Sequence, residues 1–129
     1  MLAQSSLIAF VPTTDAAGAR LFYEGQLGLR FVSDDPFALV MDANGTMIRI
    51  TSVGNFTPAP FTILGWRVDD IHRTATEMIG KGIQFARYGF LEQNPQGIWS
   101  APDGTKVAWF LDPDGNTLSI SQHPSRPNS

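Results

Sequence analysis

The chain has 129 residues, a net charge of −3 and no cysteine. Without cysteine it can form no disulfide, thiol nucleophile or thiolate metal site, and without a cluster of basic residues it lacks the face that nucleic-acid phosphates require. No apolar run reaches membrane-spanning length and the N terminus lacks the regions of a signal peptide, so we expect a cytoplasmic protein with neither nucleic-acid nor membrane partners.

A first βαβββ pattern spans residues 6–54. Thr14 or Asp15 can cap the first helix, and Gly28 provides its C-terminal stop. Asn44-Gly45 supplies the positive φ angles that a tight hairpin needs. The predicted strands of this module are residues 7–12, 29–33, 37–42 and 46–53.

A second pattern of the same kind spans residues 61–122, after a linker at 55–60 that contains two prolines. Its helix is predicted from Asp70 to Ile79, and residues 87–97 are predicted to form a long, irregular loop. Residues 123–129 are predicted to be a mobile tail of the single domain 1–129. The predicted strands of this module are residues 61–68, 83–85, 98–100, 106–111 and 117–121.

The two patterns are copies of one another. Asp15 and Asp70 are the matching helix caps, and Ile8 and Ile63 each lie seven residues ahead of them. One copy alone would leave a sheet with an uncovered face and an open edge. We therefore predict an α+β fold in which two tandem βαβββ modules form an open curved barrel with the helices outside.

This order of motifs, with LFYEGQLGLRF after the first helix and FLDPDGNTLSI near the end, resembles the vicinal oxygen chelate superfamily. That superfamily includes glyoxalase I, fosfomycin-resistance enzymes, extradiol dioxygenases and bleomycin-binding proteins, and the resemblance covers about residues 7–122. In its metal-using members, four inward His or Glu side chains come from the first and last strand of each module. The matching positions here are Ile8, Arg49, Ile63 and Ser119. None is a good ligand for a divalent cation, so we predict no metal and no cofactor.

Strand side chains alternate between two faces, and the matched positions place a mixed face inward. The opposite face is uniformly apolar and is predicted to pack under the helices. Arg49 can clamp a carboxylate or phosphate, or pair with an internal acid. Trp99 and Trp109 can stack on a flat ligand or pack in the core. The predicted ligand-binding residues are Phe10, Met47, Arg49, Thr51, Phe61, Ile63, Trp99, Trp109 and Ser119.

Three further polar side chains have less defined roles. Arg67 lies near a strand end, where a surface or subunit contact is expected. His72 lies in the first turn of the second helix and is expected to be solvated. His123 continues the alternation of Ser119 and Ser121, so it either folds over the cavity or belongs to the mobile tail.

The leading hypothesis is a protein that binds a small organic molecule, with an anionic or aromatic group, in the barrel without a metal. The first alternative is an enzyme of the lyase or dioxygenase class with an atypical site, for which Glu92 and Tyr88 are the catalytic candidates. The second is a structural module whose cavity is filled by Phe10, Met47 and Phe61. Members of the superfamily that this sequence resembles usually form twofold dimers, so we also predict a homodimer.

Overall fold

The structure is a computed structural model that describes residues 1–124, so residues 125–129 of the predicted tail lie outside the described residues. Contacts divide the chain into two compact units. One contains Met1–Pro58 with Asp112–Asp114, and the other contains Ala59–Leu111 with the chain from Gly115 onward. Both units have α+β structure, with one four-stranded mixed sheet each. No helix in the described part of the chain is long and apolar enough to cross a bilayer.

The first unit has the predicted order of elements. Asp15 accepts a hydrogen bond from the Gly18 amide at 3.1 Å and so caps the helix. The helix changes from α to π geometry at Leu21, which helical spacing alone did not predict. The sheet order is β1-β4-β3-β2, with β1 parallel to β4. Its elements are β1 Ile8–Thr13, α1 Ala16–Arg20, a π-helix Leu21–Gln26, β2 Arg30–Asp34, β3 Ala38–Ala43 and β4 Thr46–Ser52.

The second unit repeats this plan in the order β5-β8-β7-β6, with β5 parallel to β8. The predicted strand at 83–85 is wrong, since only Phe85 forms an isolated bridge, to Phe110. In the antiparallel register of that bridge, Gln84 and Ile83 would lie opposite Leu111 and Asp112, where β7 ends and the next turn begins, so no ladder forms. The elements of this unit are β5 Thr62–Arg67, α2 Ile71–Gly80, β6 Trp99–Ser100, β7 Lys106–Leu111 and β8 Thr117–Gln122.

The predicted alternation of the two sheet faces is confirmed by burial. In the first unit Val11, Ile48 and Ile50 are buried on the face that was expected to pack under the helix. In the second unit Leu118 and Ile120 are buried in the same way. Each such side chain contributes about 1.5–3 kcal/mol relative to an exposed one, which makes a one-residue slip of either sheet costly.

The turn Asp112-Pro113-Asp114 holds the first unit together, although its sequence predicted only a good turn. The Tyr23 hydroxyl donates a buried hydrogen bond to Asp112 at 2.6 Å. Burial and the neighbouring Asp112 carboxylate raise the pKa of Tyr23. The hydroxyls of Thr13 and Thr14 both donate to Asp114 at 2.6 Å, and the Thr14 amide donates at 2.8 Å. These bonds outweigh the effect of burial, so the pKa of Asp114 lies below its ordinary value.

Replacing Asp114 by Asn should lower the free energy of unfolding at pH 7 by about 1 kcal/mol, because the amide accepts these three hydrogen bonds less well. A lowered carboxyl pKa stabilises the fold above the unfolded value near 3.9, and this contribution is lost as the pH falls through the folded value. Urea unfolding should therefore separate Asp114→Asn from the parent at pH 7 and bring them together well below pH 4.

Asp34→Asn is the matched control, because Asp34 is exposed at the end of β2 and its replacement should leave the free energy of unfolding close to that of the parent. Equal unfolding free energies for Asp114→Asn and the parent at pH 7 would contradict this role of the turn.

The loop between α2 and β6 is ordered by the side chain of Gln93. Its Oε1 accepts a hydrogen bond from the Tyr88 amide at 2.8 Å. Its Nε2 donates to the carbonyls of Ala86 at 2.9 Å and Gly97 at 2.8 Å. Gly97 has φ +94°, and an added Cβ would lie 2.8 Å from Cβ of Phe85, so only glycine fits there. The loop at 87–97, which was predicted to be irregular, is therefore ordered by hydrogen bonds from the side chain of Gln93 to both of its ends.

Gln93→Met keeps the length of the side chain but removes all three hydrogen bonds. We expect faster amide exchange at Tyr88, and a loss of about 1–2 kcal/mol in the free energy of unfolding. Hydrogen–deuterium exchange of the Tyr88 amide is the direct measurement. Glu92→Gln is the control, because Glu92 is an exposed neighbour whose replacement should leave the exchange of the Tyr88 amide as it is in the parent. If Gln93→Met also exchanges this amide at the parent rate, the Gln93 side chain does not order the loop.

Candidate ligand-binding site

The face of the second sheet that lies opposite the buried core is built mostly from small residues on β5 and β8 and large ones on β7 and β6. Trp109 lies opposite Ser119, which in turn lies opposite Gly65. One step along the strands, Trp99, Val107, Ser121 and Arg67 form the next row across the sheet. A bulge at Ile63 shifts the register of β5, so that Thr62, rather than Ile63, pairs with Thr117.

An aromatic groove of about 420 Å³ lies on this face, within the size range of small-molecule sites. The Tyr88 ring meets the Trp109 ring edge-on, with the centroids 5.6 Å apart and an interplanar angle of 86°. Phe90 packs on Tyr88 at 5.7 Å and remains 83% exposed. The lining residues of this groove are Pro60, Phe61, Thr62, Tyr88, Phe90, Leu91, Trp109 and Thr117.

A second, more polar hollow of about 420 Å³ adjoins the groove, since each cavity is lined by one member of a tryptophan pair. The Trp99 and Trp109 rings lie 6.1 Å apart at 36°. Glu92 and Ser100 are exposed at the edge of this hollow, so Glu92 has the accessibility of a surface acid. The lining residues of the hollow are Glu92, Gln93, Asn94, Ile98, Trp99 and Ser100.

The floor beside Trp109 is open because Gly65 has no side chain. Gly65 is exposed, and a Cβ added to it would lie 2.9 Å from Oγ of Ser119. Ser119 itself is buried, with its hydroxyl against this glycine. An aromatic wall next to a flat floor of small residues is a surface on which a planar molecule can stack.

In the first unit, the corresponding face of the sheet carries apolar side chains in contact with solvent. Ile8 is 48%, Phe10 64% and Met47 40% exposed. Phe10 lies opposite Arg49 in the β1–β4 pairing. Thr51 lies two residues further along β4 on the same face and is half-buried.

Arg49 is already paired within this unit. Its guanidinium lies 3.6 Å from the carboxylate of Asp35. The backbone amides of Phe37 and Ala38, both at 2.8 Å, and more weakly Arg49 hold the pKa of Asp35 below its ordinary value. Arg49 therefore has an ion-pair partner in its own unit, but this partner is an exposed acid and not an internal one, and the role of Arg49 in binding an anion stays a prediction.

The four positions that correspond to metal ligands in the vicinal oxygen chelate superfamily do not fit a metal ion. Ile8 and Ile63 have no donor atom, Arg49 is a paired cation and Ser119 is a lone hydroxyl against Gly65. Within residues 1–124 there is also no group of three His, Asp or Glu side chains arranged to hold a metal ion.

The structure brings some of the predicted site residues together and separates others. Phe61, Tyr88 and Trp109 line the groove, whereas Trp99 and Glu92 line the adjoining hollow. Ile63 lies at the bulge and lines neither. Phe10, Met47, Arg49 and Thr51 lie on the sheet of the first unit. Because Phe10, Met47 and Phe61 are all exposed, they do not fill a cavity of their own chain.

Sequence reasoning missed five lining residues of the groove: Pro60, Thr62, Phe90, Leu91 and Thr117. Thr62 was missed because strict alternation along β5 does not anticipate the bulge. Phe90 follows Tyr88 by two residues in a loop, where no periodicity indicates which way a side chain points. Thr117 could have been found, since it precedes Ser119 by two residues on β8.

Comparisons with known proteins place this geometry in a family. The family model described as Glyoxalase/Bleomycin resistance protein/Dioxygenase superfamily matches residues 6–120. A comparison with curated protein sequences finds no significant match.

Solved structures with the same fold are distant in sequence. A bleomycin resistance determinant encoded on the transposon Tn5 is 22% identical with a TM-score of 0.74, over 95% of this chain and 100% of that one. An antibiotic binding protein from Streptomyces sp. CB03234 is 22% identical with a TM-score of 0.71, over 96% and 99%. Lactoylglutathione lyase from Agrobacterium tumefaciens is 15% identical with a TM-score of 0.70, over 92% and 93%. With a family model matched along most of its length, the chain belongs to the glyoxalase/bleomycin resistance protein/dioxygenase superfamily.

Proposed function

We propose that this protein binds a small aromatic molecule in the groove of its second unit and sequesters it without a bound metal ion. The observation that carries the proposal is the Tyr88–Trp109 wall beside the open floor at Gly65. Rigid aromatic side chains supply contact area at a low cost in conformational entropy, and a planar ligand gains both stacking and apolar burial there.

The family contains both binding proteins and enzymes, so membership alone does not choose between them. The proposal for binding is supported by the side chains at the four metal-ligand positions, which offer no imidazole or carboxylate. It is also supported by relatives of the same fold whose names describe resistance to bleomycin and binding of an antibiotic.

Trp109→Leu should weaken binding of a neutral bicyclic probe, 2-naphthaleneacetamide, by about tenfold, because stacking and contact area are both lost. Equilibrium dialysis after treatment with EDTA measures the dissociation constant without metal. Phe37→Leu is the control, since Phe37 is an exposed aromatic residue of the first unit that is 74% accessible. Equal losses in the two variants, or binding by the parent only after a divalent metal is added, would contradict the proposal.

We further propose that the protein forms a homodimer in which the open face of the first unit is covered by a second copy. Ile8, Phe10 and Met47 form a contiguous apolar group across β1 and β4, and such groups on a protein surface usually mark an interface. Burial of these side chains would stabilise the pair through the hydrophobic effect.

Sedimentation equilibrium at micromolar concentration should give the mass of a dimer for the parent chain. Phe10→Glu should shift the mass toward the monomer, because pairing would then bury a carboxylate. Leu21→Glu provides the control, because Leu21 is 74% exposed on the π-helix rather than on the sheet. A monomeric mass for the parent chain would refute the dimer.

A further inference from the structure

An arginine on the same face of the second sheet indicates which aromatic molecules the protein accepts. Arg67 ends β5 and lies directly opposite Ser121 in the pairing with β8. It is exposed, and it has no ion-pair partner among the described residues. Arg67 does not line the groove, but it lies on the same sheet face, one row beyond Gly65 and Ser119. A guanidinium without a partner at this position is a ready donor for a carboxylate, to which it can give two parallel hydrogen bonds.

Ser121 and His123 extend this basic corner. Oγ of Ser121 lies 2.9 Å from Nε2 of His123. His123 has an acidic neighbour in Asp103, whose pKa is lowered mainly by the Thr105 amide and least by His123. Arg67 therefore carries the uncompensated charge of this corner, while Ser121 adds a hydroxyl beside it.

The distance between the corner and the aromatic wall suits a small bifunctional molecule. Arg67 and Trp109 are two strands apart across the sheet and one pleat repeat apart along it, which corresponds to about 12 Å between their Cα atoms. Both residues lie on the sheet face that carries Gly65 and Ser119 between them. The space between the two side chains then matches the length of a fused-ring system whose carboxylate is one carbon away from the ring.

We propose that Arg67 binds the carboxylate of the ligand whose aromatic ring stacks on Trp109, so that the ligands of this protein are small aromatic acids. This inference rests on the proposed function, since it assigns a chemical class to the ligand of the same groove. It assigns recognition of the acid to Arg67, which the sequence suggested as a surface or subunit-contact residue, rather than to Arg49, which is paired with Asp35.

Three naphthalene probes of similar size test the proposal: 2-naphthylacetate, its neutral amide and the cationic 2-(2-naphthyl)ethylamine. Equilibrium dialysis should show the acid binding about tenfold more tightly than the amide, since one charge-assisted contact is gained. Raising the salt concentration should reduce this preference, because the corner is open to solvent.

Arg67→Gln should remove the preference by weakening the acid alone, while Arg67→Lys should retain part of it. Arg73→Gln is the matched control, because Arg73 is exposed on α2 and paired with Glu77 at 3.4 Å. The preference should survive in that variant.

The other possible outcomes distinguish failure of the Arg67 role from failure of the proposed function. Equal binding of acid and amide, or an acid preference that survives Arg67→Gln, overturns the role of Arg67 and leaves the aromatic groove in place. Tightest binding of the amine would instead assign charge recognition to Glu92, at the edge of the adjoining hollow. Binding of none of the probes to the parent chain overturns both this inference and the proposed function.

Discussion

The parallel pairing of the first and last strand in each unit is the constraint on which the rest of the structure depends. Once β1 pairs with β4, and β5 with β8, the register decides which side chains face the helix and which face away. In the second unit this register puts Ser119 between Gly65 and Trp109 and sets Arg67 beside Ser121. The groove is therefore a consequence of pairing in the sheet, with the loop at 86–98 adding Tyr88 and Phe90 above it.

Much of this frame could be predicted because it depends on local chemistry. The caps Asp15 and Asp70, the turn at Asn44-Gly45 and the buried face of each sheet all follow from short-range rules of hydrogen bonding and alternation. The duplicated pattern then located the four positions that correspond to metal ligands in related proteins. No neighbour more distant than one turn or one strand was needed for any of these inferences.

The parts that could not be predicted depend on contacts between residues that are distant in sequence. The bulge at Ile63 moved Thr62 onto the groove face, and the ion pair of Arg49 with Asp35 joins β4 to the segment between β2 and β3. Asp114 lies 100 residues from Thr14, so its hydrogen bonds have no local signature.

The strand positions that hold metal ligands in metal-using members of the superfamily do not line the groove in this chain. In this chain those positions hold Ile, Arg, Ile and Ser, and the large aromatic side chains lie on the neighbouring strand and loop. In the proposed function, the ligand stacks on aromatic side chains and no metal ion is coordinated. Function then follows from particular side chains rather than from the fold itself.

The three tryptophans offer the most direct test of this account. Trp109 and Trp99 lie at the groove and hollow, whereas Trp66 stacks on Phe110 beneath the opposite face at 6.3 Å. In ¹H–¹⁵N correlation spectra of the EDTA-treated protein, titration with 2-naphthylacetate should shift the indole signals of Trp109 and Trp99 and leave that of Trp66 in place. Equal shifts of all three signals, or no shift at millimolar ligand until a divalent metal is added, would contradict a metal-free aromatic site.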